Sequence, residues 1–198
     1  MNRRQLLLSA LGAAAITVAG AAPAMAKLQY NPDTNLWEDA PAVTPRGHGR
    51  YAPIPREVVS YGGKYKPGTI VVETAERRLY FVMSNGEALR YGIGVGRDGF
   101  RWSGQHKITR KAEWPGWTPP AEMRKRVPDL PAYMPGGPDN PLGARALYIG
   151  STLYRLHGTS EPWTIGQAVS SGCIRLTNED IIDLYDRVKV GSMVVVHQ

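Results

Sequence analysis

One cysteine, Cys173, stands among 198 residues, with four histidines and two phenylalanines. A single thiol excludes an intramolecular disulfide framework and a zinc site built from four thiolates. Basic side chains are scattered. The longest run is Arg124-Lys125-Arg126, and no basic–aromatic alternation suggests a nucleic-acid platform, so no nucleic-acid partner is expected. No internal repeat is visible. Glycine (22) and proline (16) are plentiful at about 19% of the chain, which favours a turn-rich, strand-rich fold over a helix bundle. A hydrophobic content of 42% argues against wholesale disorder. The length allows one domain whose core needs no metal or disulfide.

The first 26 residues read as a bacterial export signal. Arg3 and Arg4 precede an uncharged stretch from Leu6 to Ala22, and Ala24-Met25-Ala26 supplies a small-x-small cleavage pattern before Lys27. The paired arginines also fit the start of a twin-arginine signal. The alternative, an uncleaved anchor helix, suits the short alanine-rich run less well. Removing residues 1–26 leaves 22 basic and 17 acidic side chains, a charge of +5. Such a surface is compatible with an anionic polymer such as a cell-wall component. Export also gives the cysteine meaning. A lone thiol in an oxidising compartment is either buried and inert or kept for chemistry.

Residues 27–67 read as a proline- and glycine-rich linker with poor apolar periodicity, of which Ile54, Val58 and Val59 could pack on the downstream domain. Residues 68–198 read as one domain. Thr69–Val72 and Leu79–Val82 are β-branched or aromatic runs, Asn85-Gly86 is a hairpin signal, and Leu89–Val95 continues as a third strand. Gly92-x-Gly94-x-Gly96 lacks the lysine and following helix of a phosphate loop, so it is assigned to tight strand packing. Residues 98–142 read as a long, aromatic and proline-rich loop with one helical turn from Pro119 to Met123. Trp114 and Trp117 there could be core or cleft wall. A hairpin over 145–149 and 152–157 ends at His157. A helix over 178–188, capped by Thr177 and Asp180, precedes a last strand over 193–196.

Two pieces carry chemistry: His157-Gly158-Thr159 at a strand end, and Ser170-Ser171-Gly172-Cys173-Ile174-Arg175-Leu176 before the capped helix. A cysteine nucleophile needs a base, oxyanion donors and access. His157 can accept the thiol proton, with the Gly158 carbonyl fixing its other nitrogen. The turn Ser171-Gly172-Cys173 can aim successive amides at one point. Arg175 suits a substrate carboxylate. Each residue also has a bland reading, as a small buried hydrophobe, a hydrogen-bonded histidine or a surface ion pair. Their combination in an exported chain favours chemistry.

These residues, with Asn178-x-Asp180, resemble the signature of the L,D-transpeptidase catalytic domain family (YkuD-type). Gly68–Val72, Tyr91–Gly96, Trp102-Ser103-Gly104, Glu113-Trp114-Pro115 and Asn140–Gly143 look like its periplasmic Gram-negative branch. The resemblance covers about residues 66–198. It implies a mainly β, sandwich-like domain with a few short helices, one of them after the cysteine, and a periplasmic location. It implies attack by Cys173 on the diaminopimelate carbonyl of a peptidoglycan tetrapeptide stem, release of D-alanine, and transfer to an amine with His157 as base. That amine belongs to a second stem, giving a 3→3 crosslink, or to an outer-membrane protein being tethered to the wall. The family often has a second histidine where this chain has Ser171. Tyr148 falls where the family contributes a cleft tyrosine, and Trp114 is a second candidate for substrate contact. No cofactor and no metal is expected. The alternatives are a carboxypeptidase or amidase acting on peptidoglycan, and a wall-binding module without catalysis.

Overall fold

The computed structural model describes residues 28–31, 36–39, 54–126 and 128–198. The export signal expected over residues 1–26 lies outside the described residues. Among the described residues no helix is long and apolar enough to cross a membrane.

In chain order the elements are β1 (Leu28–Asn31), β2 (Leu36–Asp39), β3 (Glu57–Ser60), β4 (Ile70–Glu73), β5 (Arg78–Val82), β6 (Glu87–Gly92), β7 (Val95–Gly96), β8 (Gly104–Glu113), α1 (Ala121–Arg126), β9 (Arg145–Ile149), β10 (Arg155–His157), β11 (Ala168–Ser170), β12 (Ile174–Arg175), α2 (Asn178–Arg187) and β13 (Met193–His197). Nine strands form one ladder in the order β12-β10-β9-β8-β13-β4-β5-β6-β3. β1 pairs with β2, and β11 pairs in parallel with β7. The fold is mainly β, as expected, with hydrogen bonding unbroken across nine strands.

Local chemistry explains the first hairpins. The β-branched run Ile70-Val71-Val72 is fully buried, and Phe81 and Leu79 oppose Ile70 and Val72 across the β4–β5 pair. The turn over 83–86 closes β5 onto β6. The third strand is shorter than the sequence suggests. It breaks after Gly92, and β7 leaves the main ladder to pair with β11.

Two expectations are corrected. The segment read as a linker over 27–67 supplies β3, which pairs antiparallel with β6 at the edge of the sheet. Ile54 packs against Gly92. Four exposed or half-exposed residues on an edge strand leave little apolar pattern to read. The long loop expected over 98–142 contains β8, a ten-residue strand between β13 and β9. Of its residues only Ile108 is buried, so polar side chains hide a strand held by backbone ladders on both sides.

One core runs from Ile70, Leu79 and Tyr91 to Leu147, Leu156, Ile174, Ile181 and Leu184. Each fully buried aliphatic side chain contributes roughly 1.5–3 kcal/mol by leaving water. α2 lies against this core through Ile181, Leu184 and Val188. Its N-terminus is capped by the Thr177 hydroxyl, which accepts from the Asp180 amide at 3.1 Å. At its other end Lys111 Nζ donates to the carbonyls of Tyr185 (2.5 Å) and Val188 (2.7 Å). The buried Tyr91 hydroxyl donates to Asp183 at 2.6 Å and ties β6 to the helix. A second cluster, Trp117, Leu130 and Leu142, sits beside α1.

Candidate active site

β10 and β12 run parallel, with Leu156 opposite Ile174 and His157 opposite Arg175. The Leu176 amide donates to the His157 carbonyl at 2.8 Å. This pairing sets Cys173, the residue just before β12, beside the strand that ends in His157. The turn between β11 and β12 is fixed from several sides. The Arg97 amide donates to the Ser170 carbonyl at 3.0 Å, and Gly94 and Arg175 exchange two amide–carbonyl bonds of 2.9 Å. The Ser170 hydroxyl donates to the Cys173 carbonyl and accepts from the Gly172 amide at 3.2 Å. Trp102 Nε1 donates to the Gly172 carbonyl at 2.8 Å.

Gly172 has φ +103°, and a Cβ there would lie 2.5 Å from the Tyr154 ring. Glycine therefore satisfies both the backbone and the close approach. The segment that carries His157 is held in a similar way. Asn178, first residue of α2, accepts through Oδ1 from the amides of Ala144 (2.9 Å) and Thr159 (3.2 Å). A Cβ on Gly158 or on Gly143 would meet that same oxygen at 2.2 Å. The helix cap, the histidine strand and the β9 approach thus converge on one amide side chain.

A cleft of about 760 Å³ opens over this turn. It is lined by Trp117, Pro119, Pro120, Met123 and Leu142, and by Leu153 to Arg155, His157, Ser170, Ser171, Cys173 and Arg175. The Cys173 thiol is free and partly exposed, with the Leu153 carbonyl 4.0 Å from Sγ. The Ser171 hydroxyl oxygen is buried and makes no hydrogen bond. His157 is 4% exposed. Its Nδ1 lies 2.5 Å from the Gly158 carbonyl. A carbonyl can only accept, so Nδ1 carries the proton and Nε2 is left as a proton acceptor. Burial, reinforced by the cations of Arg175 and Arg155, pushes the imidazole down to about 3. His157 is therefore neutral near pH 7.

The other sequence candidates separate. Arg175 lines the cleft but is 8% exposed, and its Nη1 donates to Glu161 at 2.9 Å. Burial pushes the Glu161 carboxyl up, and Arg175 draws it part of the way back. Arg175, expected to hold a substrate carboxylate, already has one from its own chain. The Gly172 amide, expected to aim at an oxyanion, is taken by Ser170. Tyr148 is not among the cleft-lining residues. Its ring lies 3.6 Å from the Arg110 guanidinium carbon and 5.5 Å from that of Arg155. Trp114 is also outside the lining. It holds φ +39° and is 43% exposed, while Trp117 forms the wall. Tyr154 lines the cleft and Glu161 pairs with the cleft arginine Arg175, and neither was singled out from sequence. Tyr154 was hidden in a hairpin, and a buried glutamate has no local signal.

The comparisons agree with this geometry. Residues 67–196 match the family model described as the L,D-transpeptidase catalytic domain, YkuD. The chain is 46% identical over 133 residues to probable L,D-transpeptidase ErfK/SrfK of Escherichia coli K12, covering 63% of this chain and 42% of that protein. It is 39% identical over 173 residues to probable L,D-transpeptidase YbiS of the same strain, covering 81% and 55%. The chain thus spans about half the length of these curated relatives. Among solved structures, an L,D-transpeptidase of Mycobacterium smegmatis has TM-score 0.52 at 18% identity, covering 66% of this chain and 58% of that one, and shows the same fold. A strand-end histidine, a glycine-turned cysteine and a match over most of the described domain lead to one conclusion: the chain belongs to the YkuD-type L,D-transpeptidase catalytic domain family.

Proposed function

We propose that this protein is a peptidoglycan L,D-transpeptidase that works through a Cys173 thioester. One observation carries the reading. A free, partly exposed thiol and an imidazole with Nδ1 already bonded line one cleft. The Cys173 proton passes to His157 Nε2 as sulfur attacks the diaminopimelate carbonyl of a tetrapeptide stem. The imidazolium returns that proton to the leaving amine, the C–N bond breaks, and D-alanine departs. An acceptor amine then loses its proton to His157, attacks the thioester, and the freed sulfur takes the proton back. With the Gly172 amide bonded to Ser170, the Cys173 amide is the donor in the turn assigned to the oxyanion. Export to the periplasm would place the enzyme with its wall substrate. The acceptor is the side-chain amine of a second stem or an amine of an outer-membrane protein.

The test is incubation of the purified chain with disaccharide tetrapeptide. Released D-alanine, a tripeptidyl adduct on Cys173 by mass spectrometry and a crosslinked dimer are expected. Full activity in Cys173→Ala sinks the nucleophile. Free tripeptide with no dimer at any amine concentration makes the protein a hydrolase.

A further inference from the structure

Among the described residues the cleft is lined by three arginines, Arg124, Arg155 and Arg175, and by no carboxylate. Glu161 neutralises Arg175. Arg155 has no such partner among the described residues. Its Nη2 donates to the Leu153 carbonyl at 3.1 Å. The guanidinium lies 5.5 Å from the Tyr148 ring, a contact that leaves its charge uncompensated by any carboxylate. A guanidinium presents its donors in a rigid fork, so Arg155 brings to the cleft a cation without an anion of its own.

Arg155 and His157 are two residues apart on β10, on the same face of the strand and about 7 Å apart along it. His157 is the group that protonates the leaving amine. In an α-amino acid the carboxyl carbon lies roughly 2.5 Å from the amine nitrogen. The carboxylate of a departing terminal residue is thus held one short step from the nitrogen that His157 serves. A guanidinium fork beside the base matches a carboxylate in that place bidentately.

We propose that Arg155 binds the terminal carboxylate of the residue that leaves. It then reads the end of the stem, selecting peptides whose scissile bond is followed by one residue with a free carboxylate. This rests on the transpeptidase reading and adds a specificity determinant to it. A stem with a further residue, or with an amidated end, offers the fork a neutral carbonyl in place of an anion.

Binding tests this apart from turnover. Tetrapeptide with a free C-terminal carboxylate and the same peptide as its C-terminal amide are titrated into Cys173→Ala by calorimetry. The free acid is expected to bind roughly 10- to 100-fold more tightly, the factor one charge-assisted contact carries. Adding Arg155→Gln should bring the ratio close to one mainly by weakening the acid, and Arg155→Lys should keep part of the preference. Equal binding of acid and amide by Cys173→Ala overturns the proposal. So does an undiminished preference in Arg155→Gln, or an equal loss for both peptides. D-alanine release by the unmodified enzyme is scored separately. Preference for the acid without release would sink the transpeptidase reading and leave the carboxylate site standing.

Discussion

The Trp102 indole lies flat on the Tyr154 ring, with centroids 4.6 Å apart and planes inclined by 3°, while its Nε1 holds the Gly172 carbonyl. The stack joins the strand-end hairpin to the cysteine turn. Trp102→Phe keeps an aromatic surface and deletes the donor. We expect acylation of Cys173 to slow roughly fivefold, the worth of one neutral hydrogen bond, with the melting temperature shifted by a few degrees at most. Loss of folding in a melting scan would show that the contact is structural.

Gly172→Ala meets two obstacles. Its φ of +103° lies in the left-handed region, and the new methyl group falls 2.5 Å from Tyr154. Stability should drop by about 1–2 kcal/mol from backbone strain alone. Combining it with Tyr154→Ala should relieve the collision without relieving the strain. Urea midpoints should therefore place Gly172→Ala below the parent and the double variant below Tyr154→Ala alone.

Removing one partner of the buried pair leaves the other charge without a counterion. Glu161→Leu should cost about 3–5 kcal/mol because Arg175 is then buried and unpaired. Glu161→Leu with Arg175→Met should recover most of that loss. Denaturant unfolding of the full double-mutant cycle measures the coupling. An additive cycle would show that the pair is not coupled.

The buried histidine makes stability depend on pH. In the fold His157 is held down to about 3, against 6.5 in the unfolded chain. Between these values the unfolded state binds more protons, so stability is full above about pH 6.5 and falls as the pH drops toward 3. The slope reaches up to about 1.4 kcal/mol per pH unit. Urea midpoints of the parent and His157→Gln, taken from pH 7 to 4, should converge on acidification. Parallel curves would contradict a neutral buried imidazole.

Tyr148 stands between two guanidiniums and outside the cleft lining. Tyr148→Phe should leave kcat/KM for the tetrapeptide within about twofold, since its ring and both cation contacts survive. A tenfold fall would place its hydroxyl on the substrate.

The parts of this fold that could be read in advance are those whose burial follows a period. Ile70 to Val72 and Ile181, Leu184 and Val188 announce a strand and a helix because their apolar spacing matches the face they bury. β8 and β3 escaped because a strand held by backbone ladders between neighbours, or along one edge, can carry mostly polar side chains. At the site, Cys173 and His157 were visible through glycine and strand-end context. The commitment of Arg175 to Glu161, and of the Gly172 amide to Ser170, was not visible. Both depend on partners that only the folded chain brings within reach. Trp114 and Trp117 are alike in composition, and their separation into surface and wall comes from packing against Leu130 and Leu142.

β13, near the end of the chain, occupies the middle of the nine-strand ladder, antiparallel to β8 on one side and parallel to β4 on the other. In the ladder the strands that carry His157 and flank Cys173 are joined to the β4–β5–β6 hairpins through this one strand. A substitution that weakens β13 pairing would therefore be felt at both ends of the sheet, at the far hairpins as well as beside the nucleophile.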